Sequence, residues 1–148
     1  MRSDSTAAAN AWASITDFVM SGIAHERFLA ACQTIDVTPP VLKALMSMDP
    51  GVAEPMRTIA AKLRCDASWV TSLVDTLETR GLVERQNSRT DRRVKTIALT
   101  SAGIAAKARA LTTLNVPPPE MAILTENEQR RLCALLTKLR NAHALVAT

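Results

Sequence analysis

Tyrosine is absent from this 148-residue chain, and aromatic residues make up only 3% of it. Surfaces that bind RNA or single strands stack bases on aromatic side chains, so this content argues against a base-stacking sheet surface. Cysteine occurs three times, at Cys32, Cys65 and Cys133. An odd number at wide spacing gives no disulfide framework and fits a reducing cytoplasm. The two histidines, His25 and His143, belong to no Cys-x-x-Cys or His-x-x-x-His spacing, which argues against structural zinc. No Gly-rich phosphate loop, nucleophile motif or paired His/carboxylate constellation is present, so neither an enzyme nor a cofactor is expected. No apolar run approaches the roughly 18–20 residues of a membrane helix, and the opening Met1-Arg2-Ser3-Asp4 lacks a signal peptide's apolar stretch.

At 47% hydrophobic and 22% charged, the chain can bury a core, which excludes disorder as its main state. Its length suits one compact domain, or one small domain with helical attachments. The formal charge of +4 says little until it is located. Residues 57–95 hold nine basic groups (Arg57, Lys62, Arg64, Arg80, Arg85, Arg89, Arg92, Arg93, Lys95) and five acidic ones. That stretch carries as much net charge as the whole chain. Its densest part is Arg89-Thr90-Asp91-Arg92-Arg93. A solvated loop is the bland reading of such a run, and a phosphate-contacting element is the sharper one.

Apolar residues recur at helical spacing from Thr6 to Ile35, through Trp12, Ile15, Val19 and Ile23, with Phe18 and Phe28 widening the stripe. The pattern predicts one long helix, although Gly22 near its middle costs about 1 kcal/mol relative to alanine. Thr38 and Pro39 open a second helix as N-cap and first residue. It carries Val41, Leu42, Leu45 and Met46 and stops at Asp49-Pro50-Gly51. A third helix spans Met56 to Leu63. Asp66 caps a fourth, which runs to Arg80 and ends at Gly81. The fourth helix has an inward stripe of Val70, Leu73, Val74 and Leu77, and its other face is rich in hydroxyls despite their poor helix propensity. After Gly81 the period changes: residues 82–85 and 94–99 read as two strands of a hairpin with a basic tip. Thr100 caps a fifth helix to about Thr113, Val116-Pro117-Pro118-Pro119 forms a stiff linker, and Thr125 with Glu128 opens a last helix through a capping box. Leu132, Leu135, Leu136 and Leu139 line that helix.

Two short helices joined by a tight turn and followed by a hairpin make a winged helix-turn-helix, whose second helix enters the major groove. Here the chain resembles the MarR-type transcriptional regulators. The resemblance is carried by Ile59–Leu63, by Leu77-Glu78-Thr79-Arg80-Gly81-Leu82-Val83-Glu84-Arg85, by Asp91-Arg92-Arg93 and by Leu99-Thr100-Ser101-Ala102-Gly103. It implies a mainly α fold with a small β-hairpin: an N-terminal dimerisation helix in residues 1–35, a DNA-binding lobe in 36–99 and C-terminal dimerisation helices in 100–148. It further implies a cytoplasmic homodimer on double-stranded palindromic DNA, most often a repressor released by a small aromatic or phenolic effector.

The expected DNA contacts are Ser68, Thr71, Ser72 and Thr76 on the fourth helix and Arg89, Arg92 and Arg93 on the wing, with Arg85 and Lys95 as weaker candidates. In the family the arginine of the Asp-x-Arg motif reaches into the minor groove. Asp91 is expected to accept from the Arg93 guanidinium and fix its direction. Trp69 either packs on the hairpin or preceding helix, or touches DNA. Arg64 stands where the family commonly has glycine, so it must adopt a less favourable backbone or alter the turn. Effector candidates are His25, Arg27, Phe28, Met46 and Met48. Two other readings stay open. One is a winged-helix interaction module for an acidic protein. The other is a thiol-based redox sensor, although free cysteines are usually buried small hydrophobes.

Overall fold

The computed structural model describes residues 3–88, 91 and 93–146. The chain divides into two compact units, Met1–Val116 and Pro117–Thr148. The first holds helices α1 (Ser3–Met20), α2 (Ile23–Thr34), α3 (Pro39–Ser47), α4 (Met56–Leu63), α5 (Ala67–Thr79) and α6 (Ser101–Leu114). It also holds strands β1 (Glu54–Pro55), β2 (Val83–Asn87) and β3 (Lys95–Leu99). The second has a 3-10 turn at Pro119–Ile123 and helix α7 (Glu126–Val146).

The single N-terminal helix expected over residues 6–35 is two helices. Gly22 takes φ +91°, a left-handed conformation that costs glycine little and ends a right-handed helix. The Glu26 N–H then donates to the Gly22 carbonyl at 2.7 Å and starts α2. The hairpin, too, is larger than its sequence suggests. The sheet has three antiparallel strands in the order β1-β3-β2, with Glu54 opposite Ile97 and Pro55 opposite Thr96. Pro55 is tolerated because β1 is an edge strand, where proline's missing donor faces away from the ladder.

The core of the first unit sits where α3, α4 and α5 meet the sheet and α6. Leu42, Leu45, Ile59, Val70, Val74, Leu77 and Ile97 are fully buried there. Each such side chain contributes roughly 1.5–3 kcal/mol by leaving water. Because the α5 stripe is spent on this core, its remaining faces point to solvent. Polar braces fix the helix ends. Lys62 bridges Glu54 and Asp49 (2.7 and 3.5 Å). Arg80 donates to the Ile35 carbonyl at 3.1 Å, tying the end of α5 to the α2–α3 junction. Lys107 donates to the carbonyls of Met46 and Met48, where α3 ends.

In the second unit the capping box forms as expected. Thr125 N–H donates to Glu128 Oε2 at 2.8 Å, and Glu128 N–H donates back to Thr125 Oγ1 at 3.4 Å. Along α7, Leu132, Leu135, Leu136 and Leu139 are exposed, as are Trp12, Phe18, Val19 and Met20 on α1. No helix among the described residues is long and apolar enough to cross a membrane.

Candidate nucleic-acid interface

Helix α5 is built to present its N-terminal half. Asp66 is the N-cap, and its Oδ1 accepts from the Trp69 N–H at 2.8 Å and from the Ser68 hydroxyl at 2.6 Å. The Ser68 bond first, and then the backbone donor, hold the Asp66 carboxyl below its ordinary pKa. A left-handed residue at the end of α4 sets the angle into α5. Arg64 has φ +52° and ψ +44°, and the Cys65 N–H donates to the Ala60 carbonyl at 3.2 Å. The less favourable backbone expected of a non-glycine residue there is what forms.

Ser68, Thr71, Ser72 and Thr76 are all exposed. Their hydroxyl protons are not equally available. Ser68 donates to Asp66, Thr71 to the Ala67 carbonyl at 2.8 Å, and Thr76 to the Ser72 carbonyl at 3.0 Å. Ser72 alone of the four has a hydroxyl with no partner among the described residues. Trp69 is about half exposed. It lines an open hollow with Pro39, Pro40, Lys43, Leu63, Cys65 and Leu73, at the end of the preceding helix and the start of α3.

The wing is registered to α5 by charge. Arg85, on β2, donates to both Asp75 and Glu78 of α5. These bonds, Asp75's foremost, raise the guanidinium's affinity for its proton. Arg85 therefore braces the wing on α5. The sequence shows Asp75 and Glu78 three residues apart, a spacing that puts both on one side of a helix, but nothing in the pattern names Arg85 as their partner. Lys95 Nζ donates to Asn87 Oδ1 across the β-ladder at 2.6 Å. At the tip, Asp91 Oδ1 accepts from the backbone N–H of Arg93 at 2.9 Å. The expected bond to the Arg93 guanidinium is replaced by a turn that fixes the Arg93 main chain and leaves its side chain exposed. Arg89 and Arg92 lie outside the described residues.

The effector candidates differ in burial. His25 is exposed, and Arg27, Phe28 and Met46 are half-buried. Phe28 and Met46 pack on the core, and Met48 belongs to it. Three surface hollows are lined by other residues. Cys32 is buried, which pushes its thiol pKa up, whereas Cys65 is half-buried and Cys133 exposed. Among the described residues no His, Cys, Asp or Glu cluster is arranged to hold a metal.

Comparison with known proteins places this arrangement. Residues 42–95 match the model of the MarR family. The fold is similar to the YusO protein of Bacillus subtilis, with a TM-score of 0.68 and 24% identity over 95% of this chain and 99% of that one. It is similar to the reduced form of MarR from E. coli, with a TM-score of 0.70 and 22% identity over 86% and 94% of the two chains. It is also similar to the transcriptional repressor CouR bound to a 23-mer DNA duplex, with a TM-score of 0.61 and 26% identity over 79% and 84%. A search of curated protein sequences gave no match. Residues 42–95, which hold the winged helix-turn-helix, thus match the MarR family model, within a chain whose fold is similar to that of MarR from E. coli.

Proposed function

We propose that this protein is a cytoplasmic, sequence-specific regulator that binds a palindromic operator as a homodimer and acts as a ligand-relieved repressor. One observation carries the reading. The outward side of α5 offers Ser68, Thr71, Ser72 and Thr76 to solvent, beside a wing whose Arg93 side chain is exposed and whose main chain is fixed by Asp91. Short hydroxyls approach base edges and phosphates closely, and an arginine on a fixed turn reaches the flanking backbone or minor groove. The solved complex of CouR with duplex DNA supports this use of the fold.

Exposed apolar stripes on α1 and on α7 support homodimer formation. Two-fold symmetry would then require two half-sites about one helical turn apart. The reading is of a binding protein, not a catalyst. Its test is selection of bound fragments from the source genome, followed by titration of the enriched duplex at several salt concentrations. An inverted repeat bound with a steep salt slope is expected. Recovery of no common sequence, or binding independent of salt, overturns it.

A further inference from the structure

Basic side chains in residues 36–99 sort into two groups by their partners. Lys62 is held by Glu54 and Asp49, Arg80 by Asp36 and the Ile35 carbonyl, Arg85 by Asp75 and Glu78, and Lys95 by Asn87. The side chains of Lys43, Arg57, Arg64 and Arg93 make no hydrogen bond or ion pair among the described residues. The first group braces the lobe. The second is what an approaching polyanion meets.

Two members of the second group lie close to the start of α5 without being on the wing. Lys43 is exposed and lines the same hollow as Trp69. Arg64 is exposed and stands between Leu63 and Cys65, which also line that hollow. The nearest acid in sequence, Asp66, is engaged by the Trp69 N–H and the Ser68 hydroxyl. Arg64 also occupies its place at a conformational cost: its φ of +52° is one glycine would take without strain, yet a long cation stands there. We infer that Lys43 and Arg64 form a second phosphate-contacting flank at the α3 and α4–α5 turn side of the recognition helix. The DNA backbone is then held at two places, by this flank and by the wing. The inference rests on reading the lobe as a duplex-binding module.

The experiment compares wild type, Arg64→Gly, Lys43→Gln and Arg93→Ala on the genome-selected duplex across a salt series, with thermal unfolding of each. Arg64→Gly suits this question because it removes the charge and relaxes the backbone together, so weakened binding is not a folding defect. Each of Arg64→Gly and Lys43→Gln should reduce the magnitude of the log–log salt slope by about 0.9, the value for one phosphate. The wild-type advantage over each variant should then shrink by about 3.5-fold between roughly 50 and 200 mM salt, uniformly across duplex sequences. Unchanged slope and affinity in both variants, with Arg93→Ala impaired, overturns this flank and leaves DNA binding standing. A wild type that binds no duplex overturns both.

Discussion

Gly103 lies against the main chain of Leu82: a Cβ built on Gly103 would overlap the Leu82 carbonyl oxygen and stand 2.9 Å from its carbonyl carbon. The approach is fixed from both sides. Thr100 N–H donates to that Leu82 oxygen at 3.1 Å, the Thr100 hydroxyl donates to the Gly81 carbonyl at 2.6 Å, and it accepts from the Gly103 N–H at 3.0 Å. Neither α6 nor the α5–β2 turn can withdraw without breaking this set. Gly103→Ala should therefore destabilise the protein by about 3 kcal/mol, the upper range for overpacking, because the obstacle is backbone. Urea unfolding measures it. A midpoint equal to wild type would mean that the turn yields freely.

Arg64 makes the opposite case. A non-glycine residue in the left-handed region pays roughly 1–2 kcal/mol, part of which glycine returns through a freer unfolded chain. Arg64→Gly should stabilise by about 0.5–1 kcal/mol, seen as a raised urea midpoint with unchanged m-value. A lowered midpoint would show that the Arg64 stem packs in a way that outweighs the strain.

The helix-turn-helix was legible in residues 56–81 because periodicity, capping and glycine agree there. Met56–Leu63 forms as expected, Asp66 caps α5, and Gly81 takes φ +68° at its end. The N-terminal break was not legible, since a lone glycine within a continuing apolar stripe costs only about 1 kcal/mol and can stay helical. Strand β1 has two residues, one of them proline, so no alternation exists to detect. At the candidate site, the exposed hydroxyl face followed from the position of the buried stripe. Which hydroxyls turn back to Ala67 and Ser72, and which acids take Arg85, are three-dimensional facts without a sequence period.

The cap at Asp66 gives a pH signature. Its carboxyl is held below the unfolded value of 3.8 by the Ser68 hydroxyl and the Trp69 N–H. The folded state thus favours the ionised form. Its contribution is complete above that unfolded value and is lost as pH falls through the lowered folded one. Asparagine also caps well, so Asp66→Asn isolates the charged part. The wild type should exceed Asp66→Asn by a constant margin near neutral pH, and the margin should close below about pH 4. Paired urea melts down the pH series measure it, and a margin that persists into acid would contradict the assignment.

Ser72 and Thr71 differ in one respect that DNA would read. The Thr71 hydroxyl proton is spent on the Ala67 carbonyl, whereas that of Ser72 has no partner among the described residues. A hydroxyl free to donate can satisfy a base-edge acceptor, a contact whose loss costs roughly 1–3 kcal/mol of discrimination when it is base-specific. Ser72→Ala should lower the ratio of operator to non-specific affinity by about tenfold or more, and Thr71→Ala should lower it less. Competition titration at fixed salt compares them. Equal effects would remove the distinction.

The exposed leucines of α7 are where the proposed homodimer is tested. Leu135 and Leu139 are 60% and 56% exposed, one helical turn apart, with Leu132 and Leu136 on the same stripe. In a two-fold interface every position occurs twice, so Leu135→Asp with Leu139→Asp alters four side chains. With little more than half of each leucine still to be covered, the lost burial is roughly 3.5–7 kcal/mol, from about 1.5–3 kcal/mol for burying a whole leucine, and four carboxylates would enter an apolar seam besides. The double variant should sediment as a monomer with unchanged helix content, since both sites face solvent within the single chain. It should also lose tight binding to a two-half-site duplex, because each half-site then binds alone and the second contact is no longer intramolecular. A variant that remains dimeric would move the interface to other residues, with the exposed Trp12, Phe18 and Met20 of α1 the next to test.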